Sequence, residues 1–170
     1  MRKWPGSFMA LAMLLVPLLS GKVAAQNLRF ATDSQAPLFV EAGAMIWQRN
    51  AAQAQLSDNA RLHQGPLGLS ADKLEITFAA NGKAQLIRAI GEVALRSSGD
   101  SQSAARHATA ERAWVNLTEQ TIMLTGNVVM HSEADEQARL SGGQLTLDMA
   151  SGRARLSGTA DKPRARIELR

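Results

Sequence analysis

Ile122-Met123-Leu124-Thr125-Gly126-Asn127-Val128-Val129-Met130-His131 alternates apolar and polar side chains over ten residues. With a period of two, Ile122, Leu124, Val128 and Met130 share one face, with Gly126 between them. Thr125, Asn127 and His131 take the other face, where Met123 and Val129 dilute the polarity. Alternation over this length, with β-branched residues and no proline, signals a strand rather than a helix. A glycine in mid-strand removes a side chain from the packed face and marks a bulge or a sharp bend. The expected element is a long strand that bends at Gly126, one face turned to an apolar interior.

Working outward, the pattern recurs. Leu56-Ser57-Asp58-Asn59-Ala60-Arg61-Leu62-His63 aligns with Leu124 to His131 at an offset of 68 residues. Met45-Ile46-Trp47 faces Ala113-Trp114-Val115 at the same offset. Leu69 to Phe78 matches Leu140 to Met149 at an offset of 71, so that Leu74, Ile76 and Phe78 map onto Leu145, Leu147 and Met149. Three matches in the same order describe two copies of one multi-strand unit, a repeated β architecture. The turn signals fit: Asn81-Gly82 is the strongest hairpin signal, and Gly142-Gly143 and Ser151-Gly152 are further turns. Ser97 to Ser103 is a small, polar segment between the copies. Residues 104–115 contain Ala, Glu and Arg that suit a short helix, but the repeat places a strand there. Arg164 to Leu169 is a last candidate strand.

The N-terminus reads as a targeting segment. Arg2 and Lys3 precede an apolar run from Phe8 to Leu19, and Val23-Ala24-Ala25 offers small residues before Gln26. That is the pattern of a cleavable secretory signal over residues 1–25. The alternative is an uncleaved anchor, but twelve residues interrupted by Pro17 fall short of the roughly 20 that span a bilayer. Residues 26–36 lack periodicity and read as a flexible leader, leaving 37–170 as one domain. The signal takes Arg2, Lys3 and Lys22 and no acid with it, so 19 basic residues become 16 against 15 acids, net +1. The high pI is therefore largely a targeting feature, and no nucleic-acid partner is expected. A local excess remains in Arg153, Arg155, Lys162, Arg164, Arg166 and Arg170. It reads as a solvated edge that discourages sheet-to-sheet aggregation, or as a site for anionic headgroups.

Cysteine is absent, so an exported domain folds here without disulfides. Tyr is absent too, and beyond the signal only Trp47 and Trp114 and three Phe remain. Leu, Val, Ile, Met and Ala must build the interior. Such a core suits a curled sheet with space on its concave side better than a thick sandwich.

These residues resemble the OstA-like family. Leu124-Thr125-Gly126-Asn127-Val128 carries its L-T-G-N-V signature, Ala71-Asp72-Lys73 resembles its A-D-K strand, and Pro37 to Glu41 its opening strand. Ile87-Arg88-Ala89-Ile90-Gly91 is similar to its central strand pair, so the resemblance covers residues 37–158. The chain departs from the pattern at Asp58, where the signature has Gly, and at Gly142-Gly143-Gln144, where A-D-K or G-D-K is usual. The resemblance implies an all-β fold, a twisted and partly open antiparallel β-jelly roll of two repeated multi-strand units. It further implies a periplasmic bridge that carries lipopolysaccharide from the inner to the outer membrane through an apolar groove, driven by an ATPase complex at the inner membrane. The implied partners are the acyl chains of lipid A, an inner-membrane-anchored OstA-like protein at the N-terminal edge, an outer-membrane lipopolysaccharide translocon at the C-terminal edge, and further copies of the chain stacked head to tail.

The expected groove lining is the inward-facing apolar set: Leu38, Val40, Trp47, Leu56, Leu62, Leu74, Ile76, Phe78, Val93, Leu95, Val115, Ile122, Leu124, Val128, Met130, Leu145, Leu147 and Met149. Each buried CH₂ is worth about 0.8 kcal/mol, so an apolar trough holds acyl chains without a catalytic group. Arg61, Arg88 and Arg96 serve equally as headgroup contacts or as surface charges.

No catalytic constellation appears. His63, His107 and His131 are the only histidines, and no H-x-H, H-E-x-x-H or G-x-S-x-G is present. His63 and His131 occupy equivalent repeat positions and read as solvated strand-end residues. Glu133, Asp135 and Glu136 read as a turn rather than a cation site. Neither enzyme activity, cofactor nor metal is expected. Two classes of function stay open beside a membrane-anchored relative: a lipid carrier, and a structural envelope protein whose apolar face is filled by its own side chains. Mass spectrometry of the exported protein checks the targeting reading, with a chain beginning at Gln26 as the expected product.

Overall fold

The computed structural model describes residues 33, 35–99, 104–132 and 135–168. The signal segment 1–25, most of the leader, residues 100–103 and Leu169 lie outside the described residues. Ten strands follow one another: β1 (Leu38–Glu41), β2 (Ala44–Gln48), β3 (Gln53–Gln64), β4 (Leu67–Phe78), β5 (Ala84–Ser97), β6 (Arg106–Asn116), β7 (Thr121–Ser132), β8 (Asp135–Asp148), β9 (Arg153–Ser157) and β10 (Arg166–Glu168). A 3-10 turn at Arg49–Ala51 is the only helical element among the described residues. The strands form one antiparallel sheet in the order β1-β3-β4-β5-β6-β7-β8-β10. β2 continues the β1 edge along β3, and β9 continues the β10 edge along β8. The sheet does not close into a barrel. Residues 106–116 form a strand, as the repeat required.

The bend expected at Gly126 is present, and it belongs to a line that crosses the whole sheet. On β7 the register slips between Thr125 and Val128, where Gly126 and Asn127 have φ of 80° and 47°. On β3 it slips between Ser57 and Ala60, where Asp58 and Asn59 have φ of 63° and 57°. Asp58 thus does the work of the signature glycine, because Asp and Asn tolerate the left-handed region better than most residues. The same corner recurs on β5 at Gly91 and Glu92, with φ of 78° and 43°. Each corner is a bulge of two residues opposite one, which bends its strand and increases its twist. The repeat is therefore finer than the two copies: three hairpins, β3–β4, β5–β6 and β7–β8, each carry a corner on the first strand, and the middle one spans the segment between the copies.

The facing strands supply what the corners need. Glu111 on β6 lies where a side chain at Gly126 would begin, and its carboxylate accepts a hydrogen bond from Asn127 Nδ2. Asp72 on β4 lies in the same way against Gly91. On the inside of the line stand small residues: Ala60, Ala71, Val93, Ala110, Val128 and Gly142, all buried. With little side chain at the inner angle, the two halves of each strand can close on one another. They do: residues near opposite ends of the strands, Leu67 and Ala84, line one cavity. A straight strand as long as β4 would hold its two ends roughly 35 Å apart. The sheet is therefore folded along the bulge line, and each half covers the inward face of the other.

The core between the halves holds Leu56, Leu74, Ile76, Ile87, Leu95, Ile122, Leu124, Met130 and Leu145, all essentially inaccessible. Gly142-Gly143, expected as a turn, instead lies within β8 opposite the β7 corner, and the remaining turns are ordinary. Lys83 N donates to Asn81 Oδ1 and Gly82 N to the Ala79 carbonyl. After β8, Ser151 N donates to Asp148 Oδ1 at 2.9 Å, and this bond above all lowers the Asp148 pKa below the usual carboxylate value.

Urea unfolding of two glycine variants separates the corner from a simple turn. Gly82→Ala meets no atom nearby and should cost about 1 kcal/mol for its positive φ alone. Gly126→Ala has the same conformational cost and must also displace Glu111, so it should cost at least about 1 kcal/mol more.

Candidate functional site

Inward-facing residues form rows across the strands, and the register gives their order. One row runs Trp47, Ala54, Ile76, Ile87, Val115, Ile122, Leu147, Ala154. The next runs Met45, Leu56, Leu74, Ala89, Ala113, Leu124, Leu145, Leu156. Beyond the corner, Val40, Leu62, Leu69, Leu95, Ala108, Met130, Leu140 and Ile167 form a third. All eighteen expected lining residues point to this interior or its rim. In the middle of the sheet Leu56, Leu62, Leu74, Ile76, Val93, Leu95, Val115, Ile122, Leu124, Val128, Met130, Leu145 and Leu147 are shut in the core, none more than 5 % exposed. Leu38, Val40, Phe78 and Met149 are half-buried and pack against it.

Towards the edges the same rows lie open. At the β1–β2 edge Met45 is 53 % and Trp47 54 % exposed, and Trp47 leans on Phe78 with ring centroids 4.7 Å apart. At the opposite edge Ile167 is 65 % exposed. An inward-facing residue is covered by the opposite half of the sheet, and at the edge strands that cover runs out. Among the described residues, both edges also present backbone groups without a neighbouring strand.

The mouth, where the free ends of the two halves meet, holds a cavity of about 730 Å³. Both lips mix polar and apolar side chains. One carries Ala84, Leu117 and Met149 together with Lys83 and Gln120. The inward row of the other runs Leu38, Gln64, Leu67, Ser97, Arg106, Ser132 and is mostly polar. Gln64 Nε2 donates to the Ala36 carbonyl at 3.0 Å, which brings the chain before β1 across this lip. Arg106 is buried, and desolvation lowers its pKa from the ordinary value, though a guanidinium keeps its charge at neutral pH.

Sequence reasoning missed Leu67, Leu69, Ile87 and Leu117. Extending the alternation of Leu74 and Ile76 back along β4 reaches Leu69 and Leu67, so that signal was available. Ile87 is harder, because Leu86, Ile87 and Ile90 put apolar side chains on both faces of β5. Of the three named arginines, Arg88 is engaged with Glu75 at 3.4 Å, while Arg61 and Arg96 are exposed. Glu133 lies outside the described residues, and Asp135 and Glu136 belong to β8 rather than to a turn. Among the described residues no three His, Cys, Asp or Glu side chains are grouped to hold a metal ion. Among them, too, no helix is long and apolar enough to cross a membrane.

Residues 40–153 match the family described as LptA/(LptD N-terminal domain) LPS transport protein. The chain belongs to this family. It is a family of lipopolysaccharide transport proteins rather than of enzymes, and the match runs from the N-terminal edge strand to the start of β9. A curated protein of Rhizobium meliloti (strain 1021), named only as uncharacterized, is 26 % identical over 145 residues, covering 84 % of this chain and 76 % of that protein. Among solved structures, LptH of Pseudomonas aeruginosa, titled the LptA-homologous periplasmic component of the lipopolysaccharide transport device, superposes with a TM-score of 0.72 at 12 % identity. The overlap covers 82 % of this chain and 99 % of LptH, which establishes the shared fold. The partly open β-jelly roll expected of the family is the fold observed.

Core and rim should separate in thermal or urea unfolding. Leu124→Ala, at a position with no exposure, should cost about 2–5 kcal/mol through transfer and cavity terms. Trp47→Ala removes a larger but half-exposed side chain and should cost about 1 kcal/mol or less.

Proposed function

We propose that the protein is a periplasmic carrier that binds lipopolysaccharide by its acyl chains and passes it from the inner towards the outer membrane. The observation that carries this reading is the unfinished inner face: apolar rows sealed in mid-sheet are exposed at both edges, at Met45 and Trp47 on one and Ile167 on the other. Adding a second copy edge to edge continues the backbone ladder by β-augmentation. It also continues the apolar rows, so stacked copies make one long surface. Head-to-tail edges that do not close give a filament. In this reading the β1–β2 edge receives an inner-membrane-anchored member of the family, the β9–β10 edge meets the outer-membrane translocon, and a cleaved signal delivers the chain to the periplasm.

Acyl chains enter at the mouth, beside Leu38, Leu67, Leu117 and Met149, and spread between the halves. Each buried CH₂ contributes about 0.8 kcal/mol, so several chains offset the separation of a packed interior. The lining set named from the sequence then acts in two parts. The rim residues Leu38, Val40, Trp47, Phe78 and Met149 contact lipid first, and the sealed residues from Leu56 to Leu147 contact it once the halves part. No catalytic step is needed.

The rival reading, a structural protein with its own side chains filling the roll, draws on the sealed middle of the sheet. Val128→Asp does not discriminate, since a carboxylate at this buried site unfolds the protein under either reading. Trp47→Asp does. The carrier should release a bound fluorescent acyl probe when lipid A is added. Trp47→Asp should weaken lipid A about tenfold, the loss of roughly two CH₂ contacts, with little change in melting temperature. A wild-type protein that binds no acyl probe would sink the carrier reading.

A further inference from the structure

All three histidines of the chain fall in one register row on the outer face. From β3 to β8 the row reads His63, Gly68, Arg96, His107, His131, Arg139. Strands lie about 4.8 Å apart, so the row spans roughly 24 Å. His107 Nδ1 and His131 Nε2 are 3.2 Å apart, with one imidazole hydrogen-bonded to the other. Every other member with a side chain, Arg96 and Arg139 included, is exposed. Phe39 stacks on the His63 ring at 4.8 Å and closes one end. The neighbouring outward row towards the corner reads Glu41, Arg61, Ser70, Ala94, Thr109, Val129, Ser141, Arg166. The acids in these two rows are therefore Glu41 and Glu168, one at each end, and Glu168 pairs with Arg166 at 3.7 Å. Between them lies a strip of cations and imidazoles with no carboxylate among its described members.

The strip is not flat. His63, Arg96, His107 and His131 share a concave site of about 730 Å³ with Leu67, Ser97 and Arg106, the polar lip of the mouth. A group leaving the mouth over that lip arrives on this row. We propose that the row binds the phosphate groups of the lipid headgroup while the acyl chains occupy the mouth. The assignment rests on the carrier reading and adds to it a headgroup site on the outer face. Guanidinium forks match phosphate oxygens. Imidazole is the side chain whose charge changes between about pH 5 and 8.

Because the chain has no other histidine, imidazole NMR signals report on this row alone. The probes are a deacylated, diphosphorylated glucosamine disaccharide and the same disaccharide without phosphate, titrated into the full chain near pH 6 and pH 8. The phosphorylated probe should move all three imidazole signals. The phosphate-free sugar should move none. Arg96→Gln with Arg139→Gln, both exposed positions, should weaken the phosphorylated probe by about tenfold or more and leave the acyl-probe signal unchanged. Equal binding of both sugars, or no imidazole shift at either pH, overturns the assignment. Inorganic phosphate matching the disaccharide, or phosphatidylglycerol vesicles outcompeting it, overturns it as well. Phosphate-dependent shifts in a protein that binds no acyl probe would uphold the row and remove the carrier reading, so the two fail separately.

Discussion

A line of left-handed backbone pairs crosses the sheet, and the rest of the structure depends on it. Asp58-Asn59, Gly91-Glu92 and Gly126-Asn127 take positive φ at matching levels of β3, β5 and β7. Such conformations are costly for residues other than glycine. They persist because the corners are over-determined: small side chains inside, apolar rows on both sides that are buried only if the sheet folds, and, at Gly91 and Gly126, a carboxylate outside. Moving one corner by a single residue would turn half a strand inside out. Three corners in line fold one sheet into two facing halves. Without them the same strands would make a flat sheet with one wet apolar face.

Folding a single sheet onto itself settles what is covered and what is not. Inner-face residues in mid-sheet lie under the opposite half and are sealed. Those on the edge strands have no such cover, and the mouth opposite the fold line remains a cavity. Exposed apolar edges are normally a hazard, because an unpaired strand recruits another chain. The edge strands here are short, split at the corner into β1 with β2 and β10 with β9, and flanked by Arg61 and Arg166. A stacking carrier puts the same hazard to use.

The two halves also differ on the outside. In the half that carries β2 and β9, Glu75 bridges Lys73 at 2.9 Å and Arg88 at 3.4 Å, so those charges are answered locally. In the half that carries β1 and β10, the described members of the histidine row and of its neighbour towards the corner include only Glu168 and Glu41 as acids, each at an edge. The half that carries the histidine row is the half that ends in the polar lip. Both sides of that lip are thus suited to an anionic group beside an apolar one.

The fold was legible in the sequence to an unusual degree because its signals are local. Period-two alternation names the strands, Gly126 in mid-strand names the bend, and the match of Leu56–His63 to Leu124–His131 names the repeat. The β5 copy hid because Gly91-Glu92 shares few letters with Gly126-Asn127, and Ala110-Glu111-Arg112 hid behind its resemblance to a helix. The inward face was legible too, and that is why every expected lining residue points to the interior. Sequence alone had nothing to say about which of them stay open, since alternation assigns a residue to a face and not to a depth. Depth is set by how far the opposite half reaches over each strand, a distance between residues remote in the chain. In the same way His63, Arg96, His107 and His131 are 33, 11 and 24 residues apart in sequence order, and only the register of five strands aligns them. Strand, face and bend were written in neighbouring residues; cover, mouth and charged row came from long-range pairing.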